Sequence, residues 1–129
     1  VQNWKREKPD LYKARAQRSA RSLSGRFIRA RSRAKRTGIE WTISKEQFAK
    51  IIEKPCYYCE GNLNDTGCGI DRKQAGGNYS LDNSVPCCGV CNKIKTNLLT
   101  CEEMKAAMTA VMEIRKKMWQ ILQKQSQTP

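Results

Sequence analysis

Two Cys-x-x-Cys pairs constrain this chain more than any other feature of its sequence. The first pair is Cys56 and Cys59, the second is Cys88 and Cys91, and 28 residues separate them. Two-residue spacing lets both thiolates of a pair reach one ion, and two pairs complete a tetrahedral zinc site. Four thiolates leave no open position, so we expect a structural zinc. Disulfides are the alternative, which the odd count of seven cysteines disfavours.

The other three cysteines lie outside this spacing. Cys87 is adjacent to Cys88, but only Cys88 is two residues removed from Cys91. We expect Cys68 and Cys101 to be ordinary buried thiols.

Composition narrows the class of protein further. The chain has no histidine, which excludes a histidine general base and imidazole zinc ligands. It has 129 residues, enough for one domain, and 25 Lys+Arg against 12 Asp+Glu, a formal net charge of +13. No apolar run approaches the roughly 20 residues that span a bilayer, so we expect no membrane partner. These features indicate a basic, cysteine-stabilised module rather than a metabolic enzyme.

The positive charge is concentrated at the N-terminal end. Residues 1–40 hold 13 basic side chains and three acidic ones. A cluster of one sign generally faces a polyanion, so we expect a nucleic acid partner. Recurring apolar positions predict a long helix over 11–37, which Ser24 and Gly25 can interrupt or kink. The arginines of this arm expected to contact nucleic acid are Arg15, Arg18, Arg21, Arg26, Arg29, Arg33 and Arg36.

Two capping boxes predict two further helices. Ser44 with Gln47 begins one that extends through Glu53, and Thr100 with Glu103 begins another. We expect the second to end near Lys124, to cover a small core, and to be followed by an unstructured tail over 125–129. Its apolar side is formed by Met104, Met108, Val111, Met118 and Leu122.

The sequence between the cysteine pairs predicts a ββα unit. One strand ends in Asp71 and Arg72, a loop rich in Gly and Asn follows, and a second short strand leads into a helix at the second pair. Asp71 would lie at a strand end and Asn92 on the first helical turn. Both side chains offer hard oxygen ligands that suit Mg²⁺.

Residues 56–95 resemble the HNH, or ββα-metal, nuclease family in its zinc-knuckle form. The pattern comprises Cys-x-x-Cys, a dipeptide that begins with Asp, a Gly-rich loop, Leu-Asp-Asn, and Cys-x-x-Cys-Asn-x-x-Lys. The resemblance implies that Asp71 and Asn92 bind the catalytic metal, that Asn83 braces the loop and that Lys95 lies by a phosphate. The lysines expected to contact nucleic acid are Lys73, Lys93 and Lys95.

The chain departs from the family at Arg72, where most members have the histidine that activates water. It is similar there to a restriction endonuclease of the family that also has Asp-Arg and a tyrosine in the first knuckle. That likeness implies that Tyr58 is the proton acceptor or nucleophile, and that Arg72 stabilises charge on the phosphate or lowers the pKa of Tyr58. The alternative is that Tyr58 only packs, Arg72 only clamps a phosphate, and the site is inactive.

We therefore expect an α+β fold in which a zinc-braced ββα-metal domain (41–100) lies between a basic helical arm (1–40) and a C-terminal covering helix and tail (101–129). The leading hypothesis is a Mg²⁺-dependent DNA endonuclease without the usual histidine, either monomeric or a homodimer. The alternative is an inactive structural RNA-binding protein of a ribosome or other large ribonucleoprotein. A zinc-finger transcription factor fits less well, because it leaves the Asp-Arg insert unexplained. We expect a reducing intracellular compartment, with a phage or bacterial cytoplasm favoured over an organelle.

Overall fold

The computed structural model describes residues 8–63 and 69–127, which fold into an α+β arrangement of five helices and a two-stranded sheet. This confirms the expected fold class. In chain order the elements are α1 (Pro9–Arg21), α2 (Leu23–Arg36), α3 (Lys45–Ile52), β1 (Gly69–Arg72), β2 (Ser84–Cys87), α4 (Gly89–Lys95) and α5 (Cys101–Ser126).

The basic arm consists of two helices that meet at Ser22. The backbone of Ser22 is extended, its amide bonds to the carbonyls of Arg18 and Ser19, and its hydroxyl accepts from the Gly25 amide at 3.1 Å. Ser22 therefore ends α1 and caps α2. The prediction of a single helix over 11–37 is therefore wrong. The break lies before Ser24, where an interruption was expected, because the serine that caps the second helix is Ser22.

The two arm helices differ in burial. Every described side chain of α1 is exposed, whereas α2 buries Ala30 and Ala34. Ala30 packs in a core cluster whose other buried members are Ile43, Phe48, Ile51 and Ile70. The second helix of the arm is thus part of the packed domain, and small alanine side chains allow its close approach.

The sheet is an antiparallel hairpin in which Asp71 pairs with Val85 and Arg72 with Ser84. The loop between its strands is tied to the segment that follows α2. Trp41 and Tyr79 form an isolated parallel bridge, and the Tyr79 amide donates to the Glu40 carbonyl at 2.9 Å. These contacts hold the loop that follows β1 against the segment that follows α2.

Both predicted capping boxes are present. The Ser44 hydroxyl accepts from the Gln47 amide at 3.1 Å, and the Thr100 hydroxyl accepts from the Glu103 amide at 3.1 Å. In each box the N3 side chain also accepts from the capping residue's amide. These local signals fix the starts of α3 and α5 as the sequence predicts.

Only the first half of α5 covers a core. Met104 and Met108 are buried in a cluster with Tyr58, Leu63 and the cysteines, and Val111 packs against its edge. Met118 and Leu122 are exposed, so the prediction that they cover the core is wrong: the domain ends before the helix does. The helix continues to Ser126, which corrects the expected tail at 125–126; residues 128–129 lie outside the described residues.

None of the helices within residues 8–63 and 69–127 combines the length and apolar character needed to cross a membrane.

Candidate functional site

The four cysteines of the two Cys-x-x-Cys pairs converge. The sulfur atoms of Cys56, Cys59, Cys88 and Cys91 all lie within 4.8 Å of one another, and those of Cys59 and Cys88 are 3.8 Å apart. A tetrahedral zinc ion with bonds of about 2.3 Å separates its sulfur ligands by about 3.8 Å. The cluster can therefore hold zinc with little rearrangement.

Backbone amides support negative charge on these sulfurs. The Cys88 amide donates to Cys56 Sγ, and the Cys91 amide donates to Cys88 Sγ, each at 3.4 Å. Burial raises the pKa of Cys56, but amides of the cluster outweigh it and bring the pKa to about 7. Burial raises the pKa of Cys59 and of Cys91 above their ordinary value. Four thiolates are thus favoured only together with a cation.

Of the other cysteines that the structure describes, neither Cys87 nor Cys101 is part of this cluster. Cys87 and Cys101 are buried, and burial raises the pKa of Cys87. Cys101 therefore agrees with the expected buried thiol, whereas Cys68 lies outside the described residues. Among the six cysteines that the structure describes, none is in a disulfide.

Asp71 is the centre of a buried polar group beside the zinc cluster. Its Oδ2 accepts from the Tyr58 hydroxyl at 2.6 Å and pairs with Lys95 Nζ at 3.1 Å. The Lys95 side chain is 2% exposed and that of Asp71 13%. The ammonium also donates to the Arg72 carbonyl at 3.3 Å. Lys95 is thus buried and paired with Asp71, but it also lines the candidate cleft, and its expected contact with a phosphate stays a prediction.

Tyr58 lies beneath Asp71 and is fully buried. Burial, with the hydrogen bonds to Asp71 and Cys101, raises the pKa of Tyr58. The hydroxyl donates to Asp71 in this structure, so acting as a proton acceptor or nucleophile requires that it first lose its own proton. That role stays a prediction. The geometry as it stands makes Tyr58 a support for the Asp71 carboxylate.

Arg72 is held at the loop that follows β1. Its NH1 donates to the Gly77 carbonyl at 2.7 Å, and its guanidinium lies 5.3 Å from the centre of the Tyr79 ring. The loop itself is braced by Asn83, whose side chain bonds to the Gln74 amide, the Gln74 carbonyl and the Asn78 carbonyl. A side chain at position 77 would collide with Asn83, since a Cβ there would lie 2.8 Å from its amide nitrogen.

A cleft of about 620 Å³ lies between α2, β1 and α4. Asp71 and Arg72 line it from β1, Asn92 and Lys93 from α4, and Arg33 from α2. The structure therefore brings together three of the five predicted catalytic residues, whereas Tyr58 and Asn83 do not line the cleft. The arginine from α2 shows that the arm forms one wall of the cleft.

The predicted nucleic-acid-binding residues fall into two groups. Arg26 is buried, and its NH2 donates to the Leu63 carbonyl at 3.1 Å. This contradicts the expected contact with nucleic acid, because the guanidinium is enclosed; Gly69 approaches it so closely that a Cβ would lie 2.8 Å away. The exposed members of the set are Arg15, Arg18, Arg21, Arg29, Arg33, Arg36, Lys73 and Lys93.

The ion pair between Lys95 and Asp71 is not among the contacts predicted from the sequence. A signal was available, since Lys95 is four residues beyond Cys91 and therefore on the same face of a helix as a buried zinc ligand.

A cysteine cluster that can hold a zinc ion, an antiparallel hairpin and a short helix around an Asp–Asn cleft define the ββα-metal architecture. Among solved structures the chain is similar to PacI, a rare-cutting HNH restriction endonuclease reported to perturb DNA, with a TM-score of 0.61 and 21% identity. The match covers 72% of this chain and 78% of PacI, and it shows the shared fold.

No family model matches the chain. An uncharacterized protein of Acanthamoeba polyphaga mimivirus is 40% identical over 75 residues, which is 58% of this chain. The chain spans only 14% of the length of that viral protein.

Proposed function

We propose that the chain is a metal-dependent endonuclease of the HNH type that hydrolyses DNA phosphodiester bonds without the usual histidine. The observation that carries the proposal is the cleft itself. Two hard oxygen donors, on Asp71 and Asn92, line the same cavity as the cations of Arg72, Arg33 and Lys93. A phosphodiester needs such a combination of metal ligands and positive charge for attack at phosphorus.

The donor set fits a divalent cation such as Mg²⁺. Both contacts of the Asp71 carboxylate reach Oδ2. In the described ranges no hydrogen bond engages Asp71 Oδ1 or the side-chain amide of Asn92. The Oδ1 atoms of Asp71 and of Asn92 are therefore both available as metal ligands. When bound, the ion supplies Lewis-acid stabilisation of negative charge at the reacting phosphate.

The side chains around these ligands have separate roles in the proposal. Arg72 is anchored through one nitrogen to the loop and offers its others to a phosphate. Arg33 and Lys93 hold the backbone on either side of the cleft. Tyr58 fixes Asp71 through the hydrogen bond that it donates. To take the proton of the attacking water it must first give its own hydroxyl proton to the Asp71 carboxylate, because only the resulting phenolate can accept one. The zinc cluster is structural, because it holds the end of α3 against the start of α4.

A second candidate has its own support. The ammonium of Lys95 lies 3.1 Å from Asp71, where it neutralises the carboxylate that a metal would need. With no histidine in the chain, this pair favours an inactive site in a protein that only binds nucleic acid, including a structural RNA-binding component of a ribonucleoprotein.

The test is nicking of supercoiled plasmid with Mg²⁺, Mn²⁺ or EDTA. We expect cutting that requires a metal and that Asn92→Ala lowers at least about 100-fold, since one of two protein ligands is lost. Gln120→Ala is the matched control, an amide removed from the exposed face of α5. If no metal supports cutting while plasmid or structured RNA still binds, the second candidate is correct.

A further inference from the structure

The last four turns of α5 carry an apolar surface that the domain leaves uncovered. Val111 is the last residue of the helix that packs on the core, and every residue from Glu113 to Ser126 is exposed. At 1.5 Å per residue, this segment extends roughly 20 Å beyond the domain. Its large apolar side chains are between 48% and 64% exposed, namely Ile114, Met118, Trp119, Ile121 and Leu122.

The spacing of these side chains is that of a helix-pairing seam. Ile114, Met118, Ile121 and Gln125 follow one another at steps of four, three and four residues. This a/d repeat places all four within a narrow stripe, about 60° wide, along the helix. Trp119 and Leu122 flank it on one side. A stripe of this kind packs best against another helix with the same repeat.

We propose that this seam joins two copies of the chain through their α5 helices. In a twofold dimer the same patch of each partner contacts its counterpart. The α5 stripe can pack in this way against the same stripe of a second copy, so no other complementary surface is needed. By their exposed fractions, the five side chains offer on the order of 600 Å² per copy. Two copies could bury at most about 1,200 Å², which is the lower end of the range for a specific interface.

The stripe that forms the seam is uncharged, which favours a copy of the chain over the nucleic acid. Arg115, Lys117 and Lys124 flank the stripe, and Lys116 and Gln120 lie on other faces of the helix. Because each chain has a formal net charge of +13, two copies repel at low ionic strength. Association through an apolar seam must therefore strengthen with salt, opposite to the behaviour of nucleic acid binding.

The dimer gives the proposed nuclease a second cleft. One cleft cuts one strand, so two joined copies could cut both strands of a duplex in a single encounter. This consequence depends on the proposed function, whereas the pairing of α5 helices does not.

The test is sedimentation equilibrium of the full, zinc-loaded chain, freed of nucleic acid, at 0.1 and 0.5 M salt. We expect a mass approaching twice the 14.8 kDa of one chain, with tighter association at the higher salt. The double variant I114E/M118E should raise the dissociation constant at least about 100-fold, since it places charge in the seam. Q120E/Q123E is the matched control, with the same charge change on the opposite face, and should remain a dimer.

Retained zinc and helical circular dichroism check that both variants fold. A monomer at every concentration, or a dimer that I114E/M118E does not weaken, would overturn the proposal. Binding of α5 to anionic lipid vesicles without self-association would overturn it as well. A dimer that cuts no plasmid would support the pairing of α5 helices and would contradict only the proposed nuclease activity.

Discussion

At the scale of single residues, the chemistry depends on what Asp71 contacts. Its carboxylate holds a buried ammonium and a phenol, and both contacts use one oxygen. A buried ion pair adds little net stability, because desolvation of the charges opposes their attraction, but removing one partner leaves a buried charge unpaired. Lys95 therefore balances the charge of the same carboxylate that the proposed cation would bind through its other oxygen.

Replacing Lys95 by methionine should make cation binding easier. Without a cation we expect Lys95→Met to lower the free energy of unfolding by about 3 kcal/mol, since Asp71 keeps only the Tyr58 bond. Added Mn²⁺ or Mg²⁺ should then stabilise the variant more than the wild type, because binding to the folded state raises stability by mass action. Denaturant unfolding at several cation concentrations measures both effects.

The exposed Lys93 on the same helix is the control for this experiment. Lys93→Met should leave the free energy of unfolding within about 0.5 kcal/mol, as surface substitutions usually do. An equal response of both variants to the cation would show that Lys95 does not compete for the Asp71 carboxylate.

At the scale of elements, the two cysteine pairs connect the end of α3 to the start of α4. Cys88 is both a cluster member and the N-cap of α4, where its sulfur accepts from the Cys91 amide. Metal binding and the start of the helix that carries Asn92 are thus coupled.

Zinc analysis should find about one zinc per chain, and Cys88→Ser should lose it together with much of the thermal stability, because structural zinc contributes directly to folding. Cys87→Ala is the matched control, a buried neighbour with no place in the cluster, and should keep its zinc. Full zinc occupancy in Cys88→Ser would contradict the four-cysteine site.

The arm helix α2 contains arginines of two kinds, which predicts two kinds of variant. Arg26→Met should lower stability by about 2 kcal/mol, since it removes the bond to the buried Leu63 carbonyl. Arg33→Gln should leave stability unchanged but weaken binding to duplex DNA, and it should reduce the slope of log K against log salt by about 0.9 for each lost phosphate contact. Unfolding and salt-titrated binding separate the two outcomes.

Local signals in the sequence predict where these elements begin better than they predict how the elements pack together. The capping boxes at Ser44 and Thr100 and the convergence of four cysteines depend on short spacings, which a sequence displays directly. The burial of Arg26 depends on Leu63 and Gly69, which are far away in the chain. The same holds for the bond between Arg72 and Gly77, because composition does not specify which carbonyl a guanidinium will meet.

At the scale of the whole molecule, three surfaces can be distinguished. The cleft lies between α2, β1 and α4, the exposed cations of α1 and α2 extend from one side, and the far half of α5 extends beyond the core. The helix α1 and the end of α5 bury no described side chain. Their backbone hydrogen bonds are thus protected only by local helix stability, which is small for short isolated helices.

Hydrogen exchange can assign a partner to each of these surfaces in one experiment. In dilute protein, α1 and residues 113–126 should exchange fastest, and the β1–β2 hairpin and the first turns of α5 slowest. Adding duplex DNA should slow exchange in α1 and α2 but not in 113–126. Raising protein concentration at high salt should do the reverse, because the seam then pairs while phosphate contacts are screened. Protection of 113–126 by DNA alone would show that α5 belongs to the nucleic acid interface, and the assignment of its seam to a second copy would fail.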